Sequence, residues 1–367
     1  MLMLSEGAIM KAFILLLILL AAHSLAADTF PVPVGEFKPL SFIAYRPIDT
    51  IVMDGNFDEA SWQKAAWTEE FVDIEGDNKP KPFHSTRVKM LWDNDWLYFA
   101  AEMVEPHIWA KLTERDAVIF HDNDFEIFID PDGDTHEYYE LELNALGTLW
   151  DLLLVKPYRD RNEVAVNAWD IRKIEYAIGI DGSLNDPSDT DKAWRVEMKI
   201  PMSVLAECTD KSIPPPEGDF WRINFSRVHW DTEIVDKDYH KIAGKPEYNW
   251  VWSPQGLIAM HYPERWGYLF FSLLPVGSSK HSYQVPATEG LKEQLRQLYY
   301  KQKQYYFDNK RYAKSLSQLK AKPILWQGKK LKTRFEAHSQ GYVITLFGAK
   351  GLPDMCISED GKLWTAD

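Results

Sequence analysis

The chain has 367 residues, enough for two domains or for one large β domain with an appendage. Its 41 Lys and Arg against 55 Asp and Glu give a net charge of −14, which argues against nucleic-acid backbones and anionic membrane surfaces as partners. Only two cysteines occur, Cys208 and Cys356, so at most one disulfide can form and a cysteine-stapled scaffold is excluded.

Lys11, the apolar run Ala12 to Ala22 and the small residues of Ser24-Leu25-Ala26 follow the order of a secretory signal, with cleavage expected after Ala26. The run is shorter than the roughly 20 residues of a membrane span, and nothing later is apolar enough to cross. A secreted or periplasmic protein with no transmembrane span is expected. Residues 27–44 are punctuated by proline and read as an extended segment.

From 45 to 274 the sequence reads as β structure, in short aromatic or β-branched runs separated by Asp, Asn, Gly and Pro. Val88–Trp92 and Leu97–Val104 flank Asp93-Asn94-Asp95, a hairpin signal. Strict alternation marks Phe125, Ile127 and Ile129, then Leu141 and Leu143, then Trp194 to Ile200, then Trp221, Ile223 and Phe225. Each run predicts a strand with one apolar and one polar face. Helical spacing is confined to Glu59–Ala65 and Ser203–Glu207. Residues 275–288 read as a linker. Beyond it, 289–367 predicts a small α+β unit, with Leu291, Leu295 and Leu298 on one helix, a second helix at Ser315–Leu319, and several short strands. The fold class expected is mainly β, a sandwich or barrel with this unit attached.

Several segments resemble, in order, the family 9 carbohydrate-binding modules and their relatives. They are IDTIVMDGNFDEASWQKAAW (Ile48 to Trp67), DNDFEIFIDPDGD (Asp122–Asp134), ELNALGTLWD (Glu142–Asp151), Ile200-Pro201, WRINFSRV (Trp221–Val228), WSP (Trp252–Pro254) and ERWGYLFF (Glu264–Phe271). The resemblance covers roughly 48–272. It implies an immunoglobulin-like, jelly-roll-like β-sandwich that binds a glycan, usually without catalysis of its own and often alongside a polysaccharide-degrading enzyme. The stretch YYFDNKRYAKSLSQL (Tyr305–Leu319) resembles the globular head of pilin-like proteins.

A pyranose offers apolar C–H faces for aromatic stacking and a rim of hydroxyls for Asn, Arg, Asp and Glu. The resemblance implies two aromatic platforms. The first falls in the loop Arg115–His121, where Phe120 stands at a point often held by Trp in relatives. The second falls on Trp250 or Trp252, two residues apart in a polar stretch. Arg115, Asp122, Glu126, Asn144 and Arg227 would supply polar contacts. For Arg115 a surface ion pair competes with that role, and for Asn144, Asn224 and Arg227 buried hydrogen bonding does. Trp62, Trp67, Trp92, Trp194 and Trp221 sit in apolar phase and are expected in the core. Asp130, Asp132 and Asp134 are spaced as hard oxygen ligands for calcium, or as an ordinary acidic turn. Calcium is the one cofactor that the carbohydrate-binding reading leaves possible.

Two other functions stay open on the residues. Asp122, Asp124, Glu126, Glu140 and Glu142 provide carboxyls from which a glycoside hydrolase pair could be drawn, though nothing assigns acid and base. Related sandwiches also bind b-type haem, and Met90, Met103 and His107 lie near strands as candidate axial ligands.

Overall fold

The computed structural model describes residues 29–160, 164–279, 282–349 and 351–366. The expected export signal and its cleavage point lie outside the described residues. Among the described residues no helix is long and apolar enough to cross a membrane.

The first 15 strands are β1 (Ser41–Arg46), β2 (Val72–Asp73), β3 (Thr86–Trp92), β4 (Trp96–Val104), β5 (Asp124–Asp130), β6 (Tyr138–Asn144), β7 (Leu149–Leu154), β8 (Ala165–Val166), β9 (Glu175–Asp181), β10 (Ala193–Pro201), β11 (Phe220–His229), β12 (Thr232–Val235), β13 (Asp238–Lys241), β14 (Tyr248–Val251) and β15 (Gly267–Pro275). One face of the sandwich runs β8-β7-β6-β5-β11-β15-β1, and the other runs β1-β3-β4-β10-β9. Strand β1 serves both. It pairs in parallel with β15 from Ser41 to Ala44, bulges, and joins β3 through Tyr45 and Leu91. The Asp93-Asn94-Asp95 turn closes the β3–β4 hairpin, with Asp93 Oδ1 accepting from the Asp95 and Trp96 N–H groups. Strand β11 has β5 on one side; on the other, β15 pairs with its first half and β14 with its second.

The main core lies between the two faces. Phe125, Ile127 and Ile129 of β5 meet Leu141 and Leu143 of β6, Ile223 and Phe225 of β11, and Trp194, Val196 and Met198 of β10. Trp62, Trp92, Trp194 and Trp221 are fully buried, as their phase required, while Trp67 is half-buried beneath Arg87 and Lys89. Met90 and Met103 are core packing residues, and His107 Nδ1 bonds the Tyr239 hydroxyl at 3.2 Å, so the three do not converge as ligands.

The polar face of β5 and β6 does not meet open solvent: every residue in both strands is buried. A second apolar cluster of Phe128, Tyr138, Leu152, Val251, Met260 and Trp266 covers part of that outer face. Beyond it sits the C-terminal unit, in which the helix Thr288–Asn309 packs on a four-stranded antiparallel sheet spanning Thr333–Ala366. Ser315–Leu319, expected as a second helix, forms turns instead. Its leucines, Leu316 and Leu319, still pack into the apolar cluster between the long helix and the sheet. Cys208 and Cys356 are both free thiols.

Candidate binding cleft

Strand register assembles one row of side chains across the outer face. Ser226 of β11 pairs with Glu126 of β5, Glu126 with Glu142 of β6, and Glu142 with Trp150 of β7. The adjacent row runs Asn224, Phe128, Glu140 and Leu152. Because side chains alternate, residues on these rows all leave the sheet on the side away from the core. Where the apolar cluster stops, they floor a cleft of about 460 Å³, rimmed by Phe120, Tyr158, Asn249, Ile258 and His261. That volume lies within the range of small-ligand pockets.

The cleft combines aromatic surface with buried acid. Tyr158 and Ile258 are exposed at its edge, Trp150 and Phe120 are half-buried, and the Tyr158 ring stands edge-on to His261 at 4.5 Å. Glu142 Oε2 accepts from the Phe120 N–H at 3.0 Å, which ties the aromatic rim to the acidic floor. Carboxylate oxygens of Asp124, Glu126 and Glu142 lie within 4.8 Å of one another. Burial pushes the Glu126 carboxyl up to about 7, with the neighbouring Ser226 pulling the other way. Burial, reinforced by the charge of Glu126, drives Glu140, Glu142 and Asp124 well above the ordinary carboxylate range. Burial and then the Arg159 charge lower His261 to about 3, so it is neutral. Glu140 Oε2 and Trp150 Nε1 have no hydrogen-bond partner in the fold.

Of the residues expected at the site, Phe120 and Glu126 line this cleft. The others are placed elsewhere. Trp250 and Trp252 are 2% and 0% exposed, and they point inward because Asn249 and Val251 take the outward phase of β14. Trp250 stacks on His229 at 5.0 Å, and Trp252 Nε1 donates to Glu69. The expectation of a platform in a polar loop is corrected: this segment is a strand, and its aromatics belong to the core. Arg115 forms ion pairs with Asp116, Asp151 and Asp170, off the cleft. Asp122 Oδ2 accepts from the N–H groups of Lys111 and Leu112 and from Asn144 Nδ2. Asn144 Nδ2 also donates to Leu112 O, while its Oδ1 accepts from Leu146 and Thr148. Asp122 and Asn144 therefore brace the loop before β5. Arg227 is fully buried and donates to Glu105, Thr86 and Val104 O, crosslinking the two faces.

Sequence reasoning missed Trp150, Tyr158, Asn249, Ile258 and His261 as lining residues. Only Trp150 carried a signal, sharing its phase with Leu152 and Leu154 on the side of the strand that leaves the core.

Asp130, Asp132 and Asp134 do come together, with oxygens within 4.8 Å of one another. Asp130 accepts from the Gly133 and Thr135 N–H groups, Asp134 accepts from the His136 N–H, and Lys362 Nζ lies 3.1 Å from Asp134. Burial and then the charge of Asp134 push Asp132 up to about 6. The donor set suits a hard cation such as calcium, and it also closes an acidic turn with Lys362 as counter-charge.

Residues 52–214 match the model of the family described as carbohydrate family 9 binding domain-like. Among solved structures, a protein of Bacteroides uniformis ATCC 8492 named as carbohydrate-binding is similar at 17% identity, covering 64% of this chain and 100% of its own, with a TM-score of 0.47. A family 9 carbohydrate-binding module of Caldicellulosiruptor kristjanssonii in complex with cellotriose is similar at 15% identity, covering 66% of this chain and 100% of its own, with a TM-score of 0.41. The same organism's module in complex with glucose covers 67% of this chain at 15% identity and a TM-score of 0.41. No curated protein matches the chain. Within the mainly β sandwich described above, residues 52–214 are thus similar to the carbohydrate family 9 binding domain-like family.

Proposed function

We propose that the protein is an exported carbohydrate-binding protein that holds an oligosaccharide in the cleft between Trp150, Tyr158, Phe120 and the Glu126–Glu142 row. The observation that carries this reading is a cleft pairing half-exposed aromatic faces with unpartnered polar atoms, Glu140 Oε2 and Trp150 Nε1, in a chain whose residues 52–214 match the carbohydrate family 9 binding domain-like model. Aromatic faces suit pyranose C–H surfaces, and the unpartnered atoms suit hydroxyls. A role beside a polysaccharide-degrading enzyme, in carbohydrate catabolism, is the setting the reading implies.

Binding without turnover is favoured by the direction of the acid shifts. A glycosidase pair needs one carboxyl held protonated and the other ionised. Here burial drives Asp124, Glu126, Glu140 and Glu142 all in the same upward direction, and no Lys or Arg in the lining opposes it at any one of them. The test is calorimetric titration of the full chain with neutral oligosaccharides, parent against Trp150→Ala. Saturable binding weakened in the variant supports the reading. Sugar release that disappears in Glu126→Gln would replace it with a hydrolase.

A further inference from the structure

We propose that the cleft selects amino sugars, taking a glucosamine-type residue whose protonated amine sits among Glu126, Glu140 and Glu142; this rests on the carbohydrate reading above. The lining includes four carboxyls, those three and Glu247, and no Lys or Arg. Its one imidazole, His261, engages its Nδ1 with the Tyr138 hydroxyl at 2.8 Å. Lysines 79, 81 and 245 line a neighbouring depression across Asn249 and Ile258, not this one.

Glu140 is the independent pointer to a donor-rich ligand. Its side chain is 5% exposed and lines the cleft, and its Oε2 has no hydrogen-bond partner. A buried polar atom left without a partner destabilises the fold, and a ligand that brings a donor to it relieves that cost. A sugar hydroxyl brings one proton to such a site, whereas an ammonium brings three together with a full positive charge. Cross-strand register sets Glu126 opposite Glu142, with Glu140 two residues along the same strand and the same face. Oxygens of Glu126 and Glu142 lie within 4.8 Å of one another, so one compact cation can sit between them with Glu140 as the next carboxyl along the floor. Trp150, opposite Glu142, supplies an aromatic ring beside the same position, and a cation over such a ring gains further. The same wall disfavours uronates and sulfated sugars, whose negative charge would have to be buried beside these carboxyls with no basic residue in the lining to offset it.

The experiment is calorimetric titration of the full chain, with chelator present, against four probes: the glucosamine trimer, its N-acetylated form, cellotriose and the galacturonate trimer. The expected result is glucosamine trimer binding about tenfold or more tighter than cellotriose, an increment of ~1.4 kcal/mol. N-acetylation should erase that advantage, and the galacturonate trimer should fail to bind. In Glu140→Gln the ratio of glucosamine to cellotriose affinity should fall about tenfold; a melting temperature no lower than the parent's would show the variant folded. Cellotriose binding as tight as the glucosamine trimer, or an unchanged ratio in Glu140→Gln, would overturn amine selection and leave the carbohydrate reading intact. Binding that appears only when calcium replaces the chelator would also overturn it, since a metal would then hold the carboxyls. If none of the four probes binds, the carbohydrate reading itself falls.

Discussion

Glu126 illustrates what the floor of the cleft costs the fold. Its carboxyl is buried beside two others, and burial raises it to about 7 from an ordinary value near 4.5. An acid raised on folding contributes its stability fully below the unfolded value and loses it as pH climbs through the folded value. Glu126→Gln, which stays neutral, should therefore be more stable than the parent above pH 7, by on the order of 1–3 kcal/mol, and should gain nothing near pH 4. Thermal melts of both proteins at pH 4, 6 and 8 check this, and parallel profiles would refute it. Two tryptophans give a second contrast at this scale. Trp150→Ala removes a half-exposed ring from the cleft and should weaken sugar binding by ~1–3 kcal/mol, roughly 5- to 150-fold, with little loss of stability. Trp250→Ala opens a cavity in the core instead and should cost about 3–5 kcal/mol of stability. Denaturant melts beside titrations separate the two outcomes; a loss of binding in a fully stable Trp250→Ala would return that residue to the site.

Strands decide which side chains meet, and here the sequence was readable only to the level of the single strand. Alternation in Phe125 to Ile129, in Leu141 and Leu143, and in Trp221 to Phe225 named those strands and their core faces correctly, because a strand half in the core must repeat every second residue. The same alternation said nothing of what covers the other face. Glu126, Glu140 and Glu142 were legible as polar-phase residues, but their enclosure depends on the 257–266 segment and on register, neither of which periodicity records. Trp250 and Trp252 were expected to share a side, and they do; which side depends on β14 pairing with β11 through Trp250 and Arg227. Arg227 shows the same limit. It lies on a strand of otherwise clear phase, yet its guanidinium runs inward to Glu105 at 2.7 Å and joins β11 to the end of β4. Removing Arg227 takes the guanidinium from a buried Glu105 that keeps only His229 Nδ1, at 3.2 Å, as an ion-pair partner, so Arg227→Met should cost about 3–5 kcal/mol. Glu105→Gln in the same chain should recover part of that loss, and a double-mutant cycle in denaturant measures the coupling. Additive losses would mean the pair does not act as one unit.

Across the whole molecule, charge is used in opposite senses on neighbouring parts of the outer face. The lining of the cleft holds acids and no Lys or Arg. Beside it, acids are matched by arginines where the C-terminal unit meets the sandwich. Arg222 of β11 meets Glu289 of the helix at 2.8 Å, Arg159 meets Glu264 at 2.8 Å, and the Tyr300 hydroxyl donates to Glu264 as well. Burial pushes Glu264 and Glu289 upward, but Arg159 and Arg296 at Glu264, and Arg222, Lys292 and Arg296 at Glu289, outweigh it and bring each down to about 2. A depressed acid contributes stability that is full above its unfolded value, near 4.5, and is lost as pH falls through the folded value. The cleft therefore weakens the fold as pH rises from about 4.5 to 7, and the docking surface weakens it as pH falls from about 4.5 to 2. Stability should peak in the narrow interval between these slopes, at mildly acidic pH. Each slope belongs to different residues, so each can be removed separately. Glu289→Gln should flatten part of the acid-side decline and leave the neutral-side decline in place, whereas Glu126→Gln should do the reverse. Melting temperatures of the parent and both variants from pH 2.5 to 8.5 measure the two slopes. An acid-side slope unchanged in Glu289→Gln would mean that the Arg222 contact does not govern docking, and that the C-terminal unit is held by the apolar packing of Leu291, Leu295 and Leu298 instead.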